Sequence, residues 1–109
     1  SRKLLIEDGE RMVVLTPQSI VYAVRVDRVL EIHTEKETIQ TRLTLQELEE
    51  KLRGYPFFRT HRSYLVNLDY IQEMTPWFNG AWNIRMKDDK KSLIPVSRAA
   101  AKRLFELLS

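Results

Sequence analysis

Short hydrophobic runs separated by polar turns fill the first third of the chain. Such runs occupy residues 4–6, 12–15, 20–26, 29–34 and 38–41. The first two flank Asp8-Gly9, a dipeptide that favours the tight turn of a β-hairpin. The run at 29–34 has the period-two character of a half-buried strand. This part of the chain is therefore predicted to form strands, with Asp27-Arg28 as an interruption between two of them.

A helical pattern then replaces the strand pattern. Thr44 and Glu47 have the spacing of a capping box, in which each side chain hydrogen-bonds the backbone N–H of the other residue. Leucines at helical spacing follow, and Gly54 favours the end of the helix. These leucines are Leu45, Leu48 and Leu52. The exposed face carries glutamates, so the helix is predicted to support the fold rather than to contact a polyanion.

The second half of the chain returns to strands and ends in another helix. Runs at 70–78 and 81–87 meet at Asn79-Gly80, which is a strong hairpin signal, and apolar and polar side chains alternate along the second run. Pro95 places a short final strand at the edge of a sheet. Ser97 then caps a helix, whose predicted buried face consists of Ala100, Ala101, Leu104, Phe105 and Leu108. The whole pattern predicts a mainly β domain with two short helices.

Three aromatic residues, Trp77, Phe78 and Trp82, surround the second hairpin turn. Rings at such positions commonly pack across the two strands, and we expect an aromatic cluster here. The same rings also offer flat faces on which single-stranded bases can stack.

Composition limits the chemistry that this chain can perform. Its 109 residues suit one domain, and the excess of 18 basic over 15 acidic residues gives a net charge of only +3. There is no cysteine, which fits a reducing cytosol, and two histidines give no metal-ligand spacing. His61 and Ser63 lack a carboxylate that would complete a catalytic triad. We therefore expect no catalysis, no metal, no cofactor and no membrane span.

The basic residues are gathered in groups rather than spread evenly. The groups are Arg25 with Arg28, Arg59 with Arg62, Arg85 with Lys87, Lys90 and Lys91, and Arg98 with Lys102 and Arg103. Several basic turns opposite an acidic helix suit a protein that presents one surface to a polyanion. A scatter of solvated charges is the commoner explanation for any single group.

Residues 57–67 combine polar and apolar groups at high density. Two arginines, a histidine, two hydroxyls and an amide lie between aromatic and aliphatic anchors. Arginine can grip a guanine edge or a phosphate with two hydrogen bonds, and the neutral polar side chains add further contacts. We expect these polar groups at a surface that faces a partner. A solvated strand edge fits the segment alone equally well.

Ser97-Arg98 is the second candidate site. Arg98 would lie in the first turn of the last helix, where a cation opposes the helix dipole. Free backbone N–H groups at the same end can bind a phosphate, which would offset both the dipole and the charge. We favour a functional role over a merely exposed arginine.

The ordered set of motifs resembles the LytTR DNA-binding domains, which are the effector domains of many bacterial response regulators. Residues 58–67, followed by Ile71, resemble the signature of the family. Further similarity lies at residues 20–22, 32–34, 44–52 and 95–98, so that the resemblance runs from about Leu4 to Leu108.

The resemblance implies an elongated stack of small antiparallel β-sheets, with about ten strands, that reads duplex DNA through loops in successive major grooves. The implied base contacts are Arg28 in the first loop, Arg62 after the motif histidine and Arg98 after Val-Ser. The implied contacts to the DNA backbone are Arg59, His61, Ser63, Asn83, Arg85, Lys87, Ser97 and Lys102. One departure lies in the first loop, where Asp27-Arg28 replaces the Gly-Asn or similar pair that family members often carry.

We therefore expect residues 1–109 to be a single domain that binds duplex DNA sequence-specifically in a cytoplasmic bacterial transcription regulator. Paired direct repeats with a second protomer are the expected target, and a receiver or other regulatory domain is expected outside these residues. One alternative is a β-rich module that binds single-stranded nucleic acid or RNA. Another is a protein-interaction module that binds through an apolar strand edge.

Overall fold

The fold consists of short strands with one helix in the middle of the chain and one at its end. The computed structural model describes residues 2–109. Its elements are β1 (Leu4–Asp8), β2 (Arg11–Leu15), β3 (Ile20–Val26), β4 (Val29–Thr34), β5 (Thr38–Thr41), α1 (Leu45–Lys51), β6 (Phe57–His61), β7 (Tyr64–Asn67), β8 (Ile71–Pro76), β9 (Trp82–Met86), β10 (Leu93–Val96) and α2 (Arg98–Leu108). The predicted mainly β architecture with two short helices is confirmed.

The strands form three antiparallel sheets, in the orders β1-β2, β5-β4-β3-β7-β6 and β10-β9-β8. In the central sheet, Ala23 of β3 lies opposite Ile32 of β4 on one side and Leu65 of β7 on the other. The three sheets give the molecule extents of 42 × 31 × 26 Å. Pro95 lies in β10, an edge strand of its sheet, as the sequence predicts.

The turn residues explain where the strands end. Asp27, Asn79 and Gly80 have φ values of +55°, +54° and +83°. Asp, Asn and Gly are the residues that adopt this left-handed region at low cost. The interruption predicted at Asp27-Arg28 is therefore a tight β3–β4 turn, and Asn79-Gly80 forms the predicted turn before β9.

The central sheet is buried on both faces. Alternate residues of its strands point to opposite faces and so contribute to two separate cores. One face, which includes Ala23 and Leu65, packs against the β1–β2 hairpin and α1. The other face, which includes Val66, packs against the β8–β10 sheet and α2. Neither helix is long and apolar enough to cross a membrane.

Helix α1 begins as its sequence predicts. The backbone N–H of Glu47 donates to Oγ1 of Thr44 at 3.0 Å, and that of Thr44 donates to Oε1 of Glu47 at 2.9 Å. Hydrogen bonding to Thr44 lowers the pKa of the Glu47 carboxyl. The backbone N–H of Thr44 is the larger cause and its hydroxyl the smaller one. Leu48 on the opposite face is fully buried in the core below the central sheet.

Replacing Leu48 with alanine should lower the free energy of unfolding by about 3 kcal/mol, because a fully buried leucine leaves a cavity. Chemical denaturation would measure this loss. Leu107→Ala is the matched control, since Leu107 is 58% exposed and its truncation should change stability by less than about 0.5 kcal/mol. Equal losses in the two variants would contradict the assignment of Leu48 to the core.

Two predictions about packing are wrong. Trp77, Phe78 and Trp82 do not form a cross-strand cluster, because Trp82 lies opposite Pro76 and the N–H of Trp77 bonds the carbonyl of Ala81. No aromatic residue therefore faces another across this hairpin.

The predicted buried face of α2 is also too wide. Ala100, Ala101 and Leu104 are buried, but Phe105 is 40% and Leu108 51% exposed. The ring of Phe105 meets Trp82 of the β8–β10 sheet edge to face, with ring centroids 4.9 Å apart. Only the alanine and leucine stripe of α2 enters the core.

Candidate nucleic-acid interface

The dense segment 57–67 forms two strands joined by a tight turn at Arg62-Ser63. Arg62 is exposed at this turn. Thr60 and Asn67 are buried, with 0% and 2% exposure, so the expectation that all the polar groups of this segment face a partner is wrong for these two. Asn67 instead donates from Nδ2 to the carbonyl of Ile20 at 2.9 Å and ties β7 to the start of β3.

The β6–β7 turn is held rigidly by its own neighbours. The Ser63 N–H donates to Nδ1 of His61 at 3.1 Å, which places the proton of the neutral ring on Nε2, free to donate outward. Arg59 donates from Nη2 to the carbonyl of Arg62 at 2.9 Å, and its Nη1 lies 3.1 Å from Oε1 of Glu49. Helix α1 thus contributes to the turn indirectly, through Arg59.

A row of aromatic rings supports the turn from behind. Tyr22 stacks on His33 with centroids 4.3 Å apart and lies 6.3 Å from Tyr64, which meets His61 edge to face at 5.8 Å. Burial raises the pKa of Tyr22, so its phenol is neutral at neutral pH. The row gives the exposed turn a stiff base.

The β3–β4 turn lies beside the β6–β7 turn. The Arg25 N–H donates to the carbonyl of Ser63 at 2.9 Å, which joins the two turns at one end of the central sheet. The Arg25 side chain donates from Nε to the carbonyl of Asp27 at 2.6 Å and stabilises the left-handed turn residue. Arg28 follows at the tip and is exposed.

The start of α2 reaches the same place. The Ser97 N–H donates to the carbonyl of Thr60 at 2.8 Å, so the helix begins against β6. Oγ of Ser97 accepts from the N–H of Ala100 at 3.2 Å, and this cap confirms the predicted start of the helix. Arg98 is exposed at the first helical position. We call the surface formed by residues 27–28, 62–63 and 97–98 the turn surface.

A shallow hollow of about 210 Å³ lies between the β6–β7 turn and the start of α2. It is lined by Arg59, His61, Arg62, Ser97, Ala100 and Arg103. Arg103 also lies over the ring of Phe58, with 5.6 Å between its guanidinium carbon and the ring centroid. The lining holds three guanidinium groups and no carboxylate, a composition that suits a phosphate oxygen. Among residues 2–109, no three histidine, aspartate or glutamate side chains are placed to hold a metal ion.

The structure thus brings most of the predicted contact residues together. Those at or beside the turn surface are Arg28, Arg59, His61, Arg62, Ser63, Ser97 and Arg98. Lys102 is exposed one helical turn after Arg98. Its role in DNA binding stays a prediction, as do those of all the others.

Three predicted contacts lie elsewhere. Asn83, Arg85 and Lys87 alternate with the apolar residues of β9 that pack towards α2. Their side chains therefore project from the opposite face of the β8–β10 sheet. Arg85 donates from Nη1 to the carbonyl of Lys91 at 2.9 Å. No hydrogen bond or ion pair within residues 2–109 joins these three side chains to the turn surface.

Sequence reasoning missed Arg25 and Arg103 as members of this site. Arg103 was visible only as part of a basic group, but its spacing of three from Ala100 places it on the helical face that meets the hollow. Nothing in the sequence distinguishes Arg25 from Arg28, because the difference is that, within residues 2–109, the side chain of Arg25 donates to a backbone carbonyl and that of Arg28 does not.

The sequence of this chain matches those of known DNA-binding domains over most of its length. The family described as the LytTr DNA-binding domain matches residues 10–109. The chain belongs to the LytTR DNA-binding domain family. The solved LytTr DNA-binding domain of a methyl-accepting/DNA response regulator from Bacillus cereus has the same fold, with a TM-score of 0.85 over 100% of this chain and 98% of its own, at 24% identity.

Longer relatives are similar to this chain over part of their length. Sensory transduction protein LytT of Oceanobacillus iheyensis is 54% identical over 107 residues, which are 97% of this chain and 44% of that protein. Transcriptional regulatory protein YpdB of Escherichia coli K12 is 36% identical over 104 residues, which are 95% of this chain and 42% of that protein. The chain spans less than half the length of these relatives. The predicted membership of the LytTR DNA-binding domain family is confirmed.

The contact between Glu49 and Arg59 makes a testable prediction about α1. Glu49→Gln should weaken binding to a specific duplex by about twofold to fivefold, since an exposed ion pair is worth at most about 1 kcal/mol. Glu50→Gln is the matched control, because it removes the same charge from the same helix, whereas Glu50 pairs with Arg53 rather than with Arg59. Titration at fixed salt would compare the two variants. Equal affinities would mean that α1 does not hold the turn.

Ser63 offers a prediction about contacts that carry no sequence information. Ser63→Ala should weaken binding by about 1 kcal/mol on every sequence, because a hydroxyl that meets a phosphate cannot distinguish bases. The turn should persist, since its hydrogen bonds use the Ser63 backbone. Binding to a panel of single-base variants would measure this. A changed preference at one position would contradict the phosphate role.

Proposed function

We propose that this LytTR domain binds duplex DNA sequence-specifically and that Arg28, Arg62 and Arg98 read bases in the major groove. The proposal rests on one difference among the arginines at and beside the turn surface: some are hydrogen-bonded within residues 2–109 and others are free. The guanidinium groups of Arg25 and Arg59 donate hydrogen bonds to backbone carbonyls of the turns. The side chains of Arg28, Arg62 and Arg98 make no hydrogen bond or ion pair with another residue in the range 2–109.

Free guanidinium groups on braced turns have the properties that base recognition requires. Arginine binds O6 and N7 of guanine bidentately, and the major groove, about 12 Å wide, admits a tight turn or the end of a helix. Rigid support lowers the entropy lost when a side chain is ordered in a complex. Phosphate contacts from the surrounding cations, among them Lys102 and Arg103, would supply much of the affinity. The Nε2–H of His61 can add a neutral hydrogen bond to a phosphate.

Single-stranded nucleic acid is the second candidate, because Trp77 and Phe78 are 71% and 70% exposed. Exposed rings are the usual platforms for unpaired bases. Only two such rings are present at this hairpin, since Trp82 packs on Phe105. A pair of rings beside several free arginines favours the duplex.

The biological setting follows from the proposed activity. The domain acts without catalysis, as the cytoplasmic DNA-binding part of a bacterial transcription regulator. It binds paired direct repeats, with one protomer on each repeat. A receiver or other regulatory domain in the longer protein controls it, as the relatives more than twice as long suggest.

Selection of bound sequences from a random duplex library would test this function. We expect a short consensus to emerge, and the selected duplex to outcompete either of its separated strands at fixed salt. Stronger binding to a single strand would support the stacking alternative instead. A library that yields no consensus would overturn sequence-specific readout, and binding with little salt dependence would point to a protein partner.

A further inference from the structure

The hairpin between β8 and β9 ends in a tight, hydrogen-bonded tip. The Trp77 N–H donates to the carbonyl of Ala81 at 2.9 Å, and the Ala81 N–H donates to the carbonyl of Phe78 at 3.1 Å. Asn79 and Gly80 occupy the turn with positive φ. The tip is thus a defined structure, although its side chains contribute little to the core.

Two large rings on this tip face solvent. Trp77 and Phe78, at 71% and 70%, are more exposed than any other large hydrophobic residue in the range 2–109. Neither ring belongs to a core cluster of this range. Adjacent exposed aromatic residues typically mark an interaction site.

The tip is in direct contact with Arg98 through Gly80. A Cβ atom built on Gly80 would lie 2.8 Å from Cδ and 2.9 Å from Cγ of Arg98, closer than such carbons approach. The aliphatic stem of Arg98 therefore crosses directly over the glycine backbone. Only a residue without a side chain allows this position of the stem.

This contact fixes where the tip must lie when Arg98 is bound. The guanidinium group begins one bond beyond Cδ, so an arginine that reaches a base edge brings the tip to the wall of the same groove. That wall offers the C–H faces of deoxyribose between phosphates. Residues 77–82 contain no carboxylate that would repel it.

We propose that the hairpin tip, residues 77–80, is a further DNA-contacting element that adjoins the site of Arg98. Gly80 is a positioning residue for the Arg98 stem, and Trp77 and Phe78 pack on the sugar faces of the groove wall. The inference rests on the proposed function, because it requires Arg98 to reach the DNA. Duplex DNA is the occupant that the neighbouring free arginine favours over a second protein copy.

The rings are tested by truncating both of them. The double variant Trp77→Ala/Phe78→Ala should bind the selected duplex at least about tenfold more weakly, the effect expected of interface aromatic residues. The matched control is Leu5→Ala/Val14→Ala, because these residues pair on the β1–β2 hairpin and are 57% and 62% exposed. The control should bind like the unaltered protein, and thermal melting should show that both variants are folded.

The positioning role is tested at Gly80 with a control for backbone strain. Gly80→Ala should relax preference at the same base pair as Arg98→Ala. Gly9→Ala should leave preference unchanged, because Gly9 has a φ of +63° in a comparable hairpin but no atom within 4 Å of an added Cβ. In the Arg98→Ala background, Gly80→Ala should cause no further loss of preference, since the side chain that it displaces is absent.

Each outcome has a definite meaning. If Arg98→Ala relaxes base preference but the double ring variant binds normally, the tip does not contact DNA and this inference fails while the proposed function stands. If Arg98→Ala leaves affinity and base preference unchanged, the proposed readout by Arg98 fails. This inference then fails with it, because it requires Arg98 to reach the DNA. If the ring variant instead loses self-association, seen by sedimentation without DNA, the tip binds a second protomer and the inference is overturned.

Discussion

Replacing both Arg62 and Arg98 with alanine should abolish most sequence discrimination while leaving the fold intact. Each substitution alone should cost roughly 1–3 kcal/mol against the selected duplex, because alanine leaves two guanine acceptors without partners. Together they should cost about 2–6 kcal/mol, since no hydrogen bond joins the two side chains and separate contacts add. Each variant should relax preference at a different position, as the residues lie on different turns.

Binding to duplexes altered one base pair at a time would measure these losses. Arg53→Ala is a suitable control, because Arg53 is an exposed arginine that pairs with Glu50 and precedes β6, at the end of that strand away from Arg62. It should leave both affinity and preference unchanged. Equal loss by Arg62→Ala on selected and random duplexes would mean that this arginine holds only phosphate.

Local periodicity predicted the scaffold well because its determinants are local. The capping box of Thr44 and Glu47 is made within one helical turn, and it forms as expected. Asp27 and Asn79 adopt the left-handed conformation that their turns require. Leu48 is buried because its helix has only one apolar face to offer the core.

The site could be predicted only in part, because its geometry depends on contacts between distant segments. Thr60 and Asn67 resemble surface groups in the sequence, but the stacking of sheets buries them. Arg59 resembles Arg62, yet a carbonyl and Glu49 hold one while the other is free. The resemblance to the family supplied the three arginines that we propose read bases, which composition and spacing alone could not single out.

The exposed tip at Trp77 and Phe78 shows the same limit. A hairpin signal fixes the turn, but the residues that lie across it depend on register. Trp82 pairs with Pro76, so the rings before the turn lack an aromatic partner and remain in solvent. The sequence therefore indicates aromatic residues at a turn without indicating whether they serve the core or a partner.

Affinity for the selected duplex should fall about 500-fold between 50 and 200 mM salt. This figure assumes about five phosphate contacts, for which the logarithm of the binding constant falls with a slope of about −4.5 against the logarithm of salt concentration. Cations at and around the turn surface make that number reasonable, since Arg59 and Arg103 line one hollow and Lys102 lies on the same helix as Arg103. Titrations at four or more salt concentrations would give the slope.

A pair of lysine variants locates the phosphate contacts that produce this slope. Lys102→Ala should make the slope less steep by about one, because one fewer counterion is released on binding. Lys36→Ala should leave it unchanged, since Lys36 lies in the turn after β4, at the end of the central sheet away from the β3–β4 turn. Both variants lose one positive charge, so net charge alone would alter them equally. Equal changes in slope would therefore mean that the whole protein attracts DNA without a defined phosphate-binding face.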